Sequence, residues 1–230
     1  MTAPLHLVIF DVDGTLIDSQ GQIISSMEAA FEAVHLPVPS PDQVREIIGL
    51  SLSVAMQRLA PGRPAQIHAD LVESYKASFT QLLQQPDAGD HVRLFPGARD
   101  QVTALSMQDD MLLGIATGKS RRGLDRVLRV HGWERLFVTQ QVADHHPSKP
   151  HPSMVETALN ETGVAINCAV MIGDTTFDIQ MGRAAGVATI GVAWGYHDVA
   201  ALHDAGADMV IDSFDALPDA LGGVWDRLDE

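Results

Sequence analysis

Short apolar runs alternate along the chain with longer stretches in which apolar residues recur at helical spacing. The first run, residues 5–10, contains five apolar residues and predicts a strand that is buried on both faces of a sheet. Helices are predicted between most of the later runs. This alternation is typical of an α/β fold with a doubly wound, mostly parallel sheet, that is, a Rossmann-like core. The later predicted strands are residues 112–116, 136–139, 169–173, 188–193 and 209–212.

Residues 19–90 break the alternation, because they contain no predicted strand. Helical spacing of apolar residues predicts a run of helices there. The longest, residues 65–84, carries Tyr75 and Phe79 on its apolar stripe. The predicted division of the chain is a Rossmann-like catalytic core of residues 1–17 and 92–230 and an inserted α-helical cap of residues 18–91.

The composition bounds the partners and the compartment. The chain has 230 residues, with 30 acidic against 15 basic side chains and a formal net charge of −15. Such a charge repels phosphate backbones and anionic lipids, so neither nucleic acid nor a membrane is expected as a partner. Cys168 is the only cysteine and is predicted to be a buried, reduced thiol. With no secretory signal and no apolar run long enough to span a bilayer, a cytoplasmic location is expected.

Two acidic residues end the first predicted strand. Asp11 and Asp13 follow its apolar run, and Gly14 then lets the main chain turn sharply. Close carboxylates repel each other unless a cation lies between them. Mg²⁺ is a hard ion that takes oxygen ligands and keeps waters for a phosphate, so it is the expected cation. The alternative is a solvated Asp-x-Asp-Gly turn without a ligand.

Polar residues also follow two later strands. Thr117 and Gly118 come after residues 112–116, and Asp174 comes after residues 169–173. In an open parallel sheet, ligands bind outside the carboxyl ends of the strands, where the strand order reverses. Together with Lys149 in the preceding loop, these residues offer carboxylates for a metal, and a hydroxyl, an amide and a cation for a phosphate.

At these residues the sequence resembles the haloacid dehalogenase superfamily of phosphotransferases. Four segments are similar to its four motifs, in order and with the usual spacings, and the resemblance covers the whole chain. The helical insert matches the subgroup that has an α-helical cap and includes phosphoglycolate phosphatases, pyrophosphatases, phosphoglucomutases and dehalogenases. The four segments are residues 10–16 (FDVDGTL), 116–119 (ATGK), 149–150 (KP) and 173–178 (GDTTFD).

The resemblance implies a role for each core residue. Asp11 is the expected nucleophile, which forms an aspartyl-phosphate and so divides one difficult displacement into two easier ones. Asp13 is the expected acid that protonates the leaving oxygen and later activates water. Asp11, Asp174 and the main-chain carbonyl of Asp13 are expected to hold Mg²⁺, and Asp178 to support Lys149 or the metal site. Since dehalogenases lack the second acid, Asp13 favours phosphate chemistry over halide chemistry.

The remaining expected roles concern the substrate. Thr117, Gly118 and Lys149 are expected to bind the phosphoryl oxygens, where negative charge spreads in the transition state. A loop of the cap chooses the substrate in the resembled subgroup. The residues expected to bind the substrate are Gly118, Lys119, Arg45, Gly49 and Ser51.

The expected reaction is Mg²⁺-dependent hydrolysis of a small phosphorylated metabolite. Residues 191–196 resemble phosphoglycolate phosphatases, whereas residues 22–26 are closer to some pyrophosphatase relatives. A β-phosphoglucomutase-like phosphomutase is a further alternative, but its histidine early in the first cap helix is missing here, since none precedes His35 in that helix. A non-enzymatic phosphate sensor on the same fold is the competing class. We expect a monomer or a homodimer.

Several of these residues have simpler interpretations. Lys149 could be a solvated loop lysine, and Thr117 could be part of a helix N-cap. Asp178 could pair with a helix dipole, and Arg45 could be an exposed helix residue. Three histidines beside Asp144 suggest zinc, but their spacing fits no compact structural zinc pattern. These are His145, His146 and His151.

Overall fold

The computed structural model describes residues 4–82 and 92–226. Six of the described strands form one sheet, and every hydrogen-bonded pair in it runs parallel. The predicted α/β class with a mostly parallel sheet is therefore confirmed. The strands are β1 (His6–Phe10), β2 (Ile17–Asp18), β3 (Arg93–Leu94), β4 (Met111–Thr117), β5 (Thr139–Val142), β6 (Ala169–Gly173), β7 (Ala188–Val192) and β8 (Met209–Ile211).

Strand β1 marks the point at which the strand order reverses. The spatial order is β5-β4-β1-β6-β7-β8, so the chain first builds outward through β4 and β5 and then crosses β1 to build through β6, β7 and β8. A crevice forms at such a point because the connections on either side leave in opposite directions. The ends of β1, β4 and β6 therefore lie side by side.

The helices surround the sheet or lie between β2 and β3 in sequence. Ser40 and Gln43 form a capping box at the start of α2, where Pro41 is the first helical residue, and Ser120 caps α6, which ends at the left-handed Gly132. None of the described helices is long and apolar enough to cross a bilayer. The helices are α1 (Gln20–Ala33), α2 (Pro41–Arg45), α3 (Leu52–Leu59), α4 (Ala65–Leu82), α5 (Ala98–Ser106), α6 (Arg121–His131), α7 (Ser153–Thr162), α8 (Thr176–Ala185), α9 (Val199–Asp204) and α10 (Leu217–Asp226).

Strand β1 is apolar throughout because it is covered on both faces. Val8 and Phe10 pack into one cluster, with side chains from α5, α6 and α10. Leu7 and Ile9 point the other way, into a second cluster with side chains from α7 and α8. Successive side chains of a strand alternate between faces, so an unbroken apolar run is what two covered faces require.

Helices α1–α4, residues 20–82, form a third hydrophobic cluster, and we call them the helical segment. Its buried side chains include Met27, Phe31, Met56 and Leu71. Phe177 of α8 also packs into this cluster, although α8 otherwise packs on the sheet. The helical segment is thus joined to the α/β core by an apolar contact as well as by the chain. The short antiparallel pair β2–β3 lies where the chain enters and leaves the segment.

Two local predictions were wrong. The strand predicted at 136–139 begins only at Thr139, because Phe137 turns into the core while Val138 is 59 % exposed. The sequence pattern there was misleading because the true strand, β5, contains two glutamines. Cys168 is half-buried rather than buried, since it lies in a 3₁₀ turn before β6 and not in the strand itself. The long helix is predicted to end at residue 84, and the segment PDAGD at 86–90 predicts a turn, but both positions lie outside the described residues.

Removing the Phe177 ring tests the contact between the helical segment and the core. We expect Phe177→Ala to lower the free energy of unfolding by about 3 kcal/mol, because it leaves a cavity in the third cluster. Urea denaturation followed by circular dichroism measures this change. The exposed Val138→Ala control is expected to stay within about 0.5 kcal/mol of the wild type. Equal stability of Phe177→Ala and the wild type would contradict the described packing.

Candidate active site

Three acidic side chains meet where β1 and β6 end. Asp11 follows β1 directly, Asp174 follows β6 directly, and Asp178 lies in the first turn of α8. Each offers one carboxylate oxygen to a group whose ligand atoms all lie within 4.8 Å of one another. All three side chains are buried. The pairing of β1 with β6 brings together two acids that are 163 residues apart in the sequence.

Lys149 reaches this acidic group from the loop between β5 and α7, residues 143–152, which we call the lysine loop. Its ammonium lies 2.9 Å from Asp11 Oδ1 and 2.6 Å from Asp178 Oδ1. Lys149 is 2 % exposed, so the alternative of a solvated lysine is wrong. Asp178 Oδ2 accepts hydrogen bonds from the main-chain N–H and the hydroxyl of Thr175, at 3.1 and 2.7 Å. Asp178 therefore caps its helix and contacts the lysine at the same time.

Asp174 is held by groups on both sides. The Thr15 hydroxyl donates to its Oδ1 at 2.9 Å, and the main-chain N–H of Tyr196 donates to its Oδ2 at 2.9 Å. Gly14 has a φ of +83°, and a side chain there would collide with the Asp174 carboxylate. The sharp turn after β1 thus needs glycine both for its main-chain conformation and for the close approach of Asp174.

Burial dominates the electrostatics of this group. It raises the pKa of Asp11 to about 7, with further increases from Asp178 and Asp13, although Lys149 acts in the opposite direction. Burial, followed by the charges of Asp178 and Asp11, also raises the pKa of Asp174 well above its ordinary value. Burial lowers the pKa of Lys149, but Asp11 and Asp178 outweigh it, so the net shift is upward.

The acidic group has the features of a divalent cation site. Three ionised carboxylates beside one ammonium leave two uncompensated negative charges in a buried space. Asp11 Oδ2 is buried and accepts no hydrogen bond from the described residues. Carboxylate oxygens suit a hard divalent cation, which would balance both charges. Elsewhere in the described part of the chain, no group of three or more His, Cys, Asp or Glu side chains could hold a metal ion.

The Asp13 carboxylate lies outside this acidic group and has other partners. The Lys119 ammonium donates to Asp13 Oδ1 at 2.7 Å, and the Ser19 hydroxyl donates to the same oxygen. The Lys119 ammonium also lies 5.8 Å from the centre of the Phe79 ring on α4, within the range of a cation–π contact. Lys119 therefore links the second acid of the motif to the helical segment. The predicted metal contact of Asp13 involves its main-chain carbonyl and stays a prediction.

Thr117 and Gly118 lie at the end of β4, beside β1. Thr117 is buried, and its hydroxyl accepts a hydrogen bond from the main-chain N–H of Lys119 at 3.3 Å. Ser120 caps α6, so the alternative that Thr117 is the helix cap is wrong. A side chain at Gly118 would collide with the carbonyl oxygen of Gly49. The main chain of the helical segment thus packs directly on the turn that follows β4.

Two of the cap residues predicted to bind the substrate, Ser51 and Arg45, lie in different surroundings. The main-chain N–H of Ser51 donates to Ser148 Oγ at 2.9 Å, so Ser51 lies against the lysine loop. Arg45 instead pairs with Asp42 on its own helix and donates to Gln20 Oε1 at 3.0 Å. The Arg45 side chain is 37 % exposed. Its partners therefore all lie within the helical segment.

Several residues that surround Asp13 were not predicted to belong to the site. Ser19 occupies a helix N-cap position, yet its hydroxyl makes no capping bond and contacts Asp13 instead. The Tyr196 hydroxyl accepts a hydrogen bond from the Ser19 N–H at 3.2 Å. Tyr75 and Phe79 stack with their ring centres 5.8 Å apart, and burial together with the Asp13 charge raises the pKa of Tyr75. Two aromatic rings at i, i+4 on the predicted apolar stripe were the available signal.

The histidines of the lysine loop are not arranged as a metal site. His146 contacts Ser153 and Gln141 through its two ring nitrogens. His151 Nδ1 accepts a hydrogen bond from the main-chain N–H of Ser153, and His145 is exposed. The partners of His146 and His151 are hydroxyl, amide and main-chain groups, and these contacts point to a structural use of the loop.

The fold, the three motifs at strand ends and the fourth motif in the lysine loop are those of a known type of hydrolase. Residues 8–192 match the family model described as haloacid dehalogenase-like hydrolase. The chain belongs to this family. The predicted resemblance and the predicted enzyme class are therefore confirmed.

Several relatives align over most of this chain. The protein named "Probable phosphatase IndB" of Dickeya dadantii is 33% identical over 212 residues, 90% of either chain. A phosphoglycolate phosphatase of Vibrio parahaemolyticus is 28% identical and covers 93% of this chain and 94% of its own. The pyrophosphatase PpaX of Bacillus pumilus is 31% identical, and the alignment covers 83% of this chain and 84% of PpaX. The crystal structure of a hydrolase from Pseudomonas syringae superposes with a TM-score of 0.83 at 23% identity, over 95% of this chain and 98% of that one, which supports the fold.

The raised pKa of Asp11 makes the stability of the metal-free protein depend on pH. Its folded-state value of about 7 lies above the ordinary 3.8, so the contribution of protonated Asp11 is complete below pH 4 and is lost as the pH rises through 7. Asp11→Asn imitates the neutral acid. We expect this variant to be more stable than the wild type by a few kcal/mol at pH 8, and about equally stable at pH 4.

Thermal unfolding in the presence of a chelator, from pH 4 to pH 8, measures this difference. The exposed Asp109→Asn variant is the control, for which no pH-dependent gain is expected. A gain for Asp11→Asn that is the same at every pH would contradict the buried, unbalanced carboxylate.

Proposed function

We propose that the chain is a Mg²⁺-dependent phosphatase that hydrolyses a small phosphorylated metabolite through an aspartyl-phosphate. The observation that carries this proposal is the state of Asp11. Its carboxylate is buried, its Oδ1 is held by Lys149, and its Oδ2 has no hydrogen-bond partner among the described residues. An oriented carboxylate with a free oxygen beside a cation is suited to in-line attack on phosphorus.

The proposed steps follow from the neighbours of Asp11. A carboxylate oxygen of Asp11 attacks phosphorus, and the bond to the leaving oxygen breaks. Water then attacks the phosphorus of the aspartyl-phosphate, which releases inorganic phosphate and regenerates Asp11. Lys149, the Thr117 hydroxyl and the Gly118 N–H are the proposed donors to the phosphoryl oxygens, where charge develops in the transition state.

Asp13 is the proposed acid and base. It lies two residues beyond Asp11 and directly before the turn at Gly14, and its carboxylate lies outside the group formed by Asp11, Asp174 and Asp178. It protonates the leaving oxygen in the first step and takes a proton from water in the second. Its contacts with Lys119 and Ser19 fix the orientation of its carboxylate. Proton transfer needs such an orientation because donor and acceptor must come within hydrogen-bond distance.

The proposed metal ligands are Asp11, Asp174 and the main-chain carbonyl of Asp13. Bound Mg²⁺ would supply positive charge next to the phosphoryl oxygens and offset the repulsion between Asp11 and an anionic substrate. Asp178 is engaged on both oxygens by Lys149 and Thr175. We therefore assign Asp178 to the support of Lys149 rather than to the metal.

The proposed substrate is a phosphoglycolate-like phosphomonoester. Lys119 lies next to Asp13, where it can meet an anionic leaving group, and its ammonium also contacts the ring of Phe79, which stacks on Tyr75. The phosphoglycolate phosphatase relative supports this choice. The pyrophosphatase relative supports pyrophosphate as the alternative substrate, since a second phosphate would also meet Lys119. Arg45 can bind the substrate only if its side chain first breaks its contacts with Asp42 and Gln20.

Further alternatives are a phosphomutase and a phosphate sensor without turnover. The absence of a histidine in α1 argues against the first, and the pair Asp11 and Asp13 argues against the second. A cytoplasmic location and a monomeric or homodimeric state stay predictions.

Phosphate release with Mg²⁺ tests the proposal on p-nitrophenyl phosphate, phosphoglycolate and pyrophosphate. We expect turnover of all phosphomonoesters tested, with the highest kcat/KM for phosphoglycolate. Asp11→Asn is expected to reduce kcat by at least roughly a thousandfold, because it removes the nucleophile. The exposed Asp204→Asn control is expected to retain full activity.

Each alternative gives a different result in the same assay. Faster release from pyrophosphate would favour the pyrophosphatase. Isomerisation of a hexose phosphate with a bisphosphate activator would favour the mutase, and tight phosphate binding without turnover would favour the sensor. Unchanged turnover in Asp11→Asn would remove the nucleophile assignment.

A further inference from the structure

A chain of hydrogen bonds at the base of the lysine loop is not used by the proposed chemistry. Glu161 of α7 accepts hydrogen bonds from the Thr139 hydroxyl at 2.6 Å and from Gln141 Nε2 at 2.8 Å. Gln141 Oε1 lies 2.9 Å from His146 Nε2, and His146 Nδ1 lies 2.8 Å from Ser153 Oγ. The chain therefore connects strand β5, the lysine loop and helix α7.

The donors and acceptors along this chain follow from its charged end. The Glu161 carboxylate can only accept, so Gln141 must turn its amide nitrogen toward Glu161 and its oxygen toward His146. His146 Nε2 then has to carry the proton that it donates to Gln141. In the neutral ring, His146 Nδ1 is left as an acceptor for the Ser153 hydroxyl. Each group therefore has one consistent role, from the carboxylate to the serine.

The surroundings of His146 agree with a neutral ring. Burial and the neighbouring His145 lower its pKa, while Glu161 acts in the opposite direction, and the net shift is downward. A neutral imidazole donates at one nitrogen and accepts at the other, as the contacts require. Protonation would add a second donor at Nδ1, so that the Ser153 hydroxyl would have to turn round and accept.

His146 and Ser153 stand on either side of Lys149 in the sequence. Between them the loop turns tightly, with the His151 N–H donating to the Ser148 carbonyl at 3.1 Å. His146 ties the start of this turn to β5 and to the first residue of α7. His146 therefore joins the two ends of the segment 146–153, which carries Lys149, to each other and to β5.

We propose that His146 is the positioning residue for Lys149: by joining Gln141 to Ser153 it fixes the lysine loop so that the ammonium meets the phosphoryl group in the transition state. The proposal rests on the proposed phosphatase function. Displacing a catalytic group by about 1 Å can reduce a rate by as much as a hundredfold. Loss of His146 should therefore affect the chemical step more than the binding of the ground state.

Substitution of His146 by phenylalanine tests this role, because the ring shape is kept while both hydrogen bonds are lost. We expect His146→Phe to reduce kcat for phosphoglycolate or p-nitrophenyl phosphate by about tenfold, with KM changed less than about threefold. His146→Gln keeps a donor for Gln141 and is expected to recover part of the loss. The exposed His145→Gln variant is the matched control and should be unchanged.

A double-mutant cycle separates positioning from a general loss of stability. If His146 acts through Lys149, His146→Phe has no further effect on kcat in a Lys149→Met background. Two losses that multiply in the double variant would overturn the proposal. So would a His146→Phe variant that unfolds at a lower temperature but keeps the wild-type kcat.

Calorimetric binding of orthovanadate gives a readout that needs no turnover. Its trigonal bipyramidal adducts imitate the transition state of phosphoryl transfer, so His146→Phe should bind it about tenfold more weakly than the wild type. A wild type that binds orthovanadate but releases no phosphate would refute the proposed function alone. A wild type that turns over normally, with His146→Phe equal to it in both assays, would refute the positioning role alone. A wild type that neither binds nor turns over would refute both.

Discussion

Three carboxylates and one ammonium share a buried space at the edge of the sheet, and the rest of the site depends on how their charges are balanced. Lys149 offsets one charge and keeps its own proton, since Asp11 and Asp178 raise its pKa. The pKa values of Asp11 and Asp174 are raised, mainly by burial. The remaining excess of negative charge raises them further. Without a further cation, such a group takes up protons. A divalent cation would keep both acids ionised and available.

The order of the strands brings these negative charges together. Strand order reverses at β1, so the ends of β1, β4 and β6 lie together, and Asp11, Thr117 and Asp174 lie at these ends. Placing the acids there costs stability, as burial of like charges generally does. The apolar strands behind them, covered on both faces, compensate for this cost. Packing of the sheet therefore stabilises the acidic site at its edge.

Much of this arrangement could be predicted, because short patterns of apolar and polar residues in the sequence indicate the strands and the residues at their ends. Apolar runs that end in Asp11, Thr117 and Asp174 can be recognised without knowing which strands are neighbours. The contacts around Asp13 could not be predicted, since Ser19 and Tyr196 are 177 residues apart in the sequence and meet only in the folded chain. Strand β5 was misplaced for a related reason: its two glutamines make polar contacts, Gln141 with Glu161 and Gln140 with Arg121, so an apolar pattern was absent where the strand lies.

Calorimetric titration of the metal-free protein with Mg²⁺, in two buffers of different ionisation enthalpy, measures whether this group binds a cation and how many protons are released. Cation binding should displace protons from the carboxyl groups of Asp11 and Asp174. We expect measurable proton release at pH 6, which declines as the pH is raised to 9 and is smaller in Asp11→Asn. Binding without proton release at pH 6, or no binding at all, would contradict it.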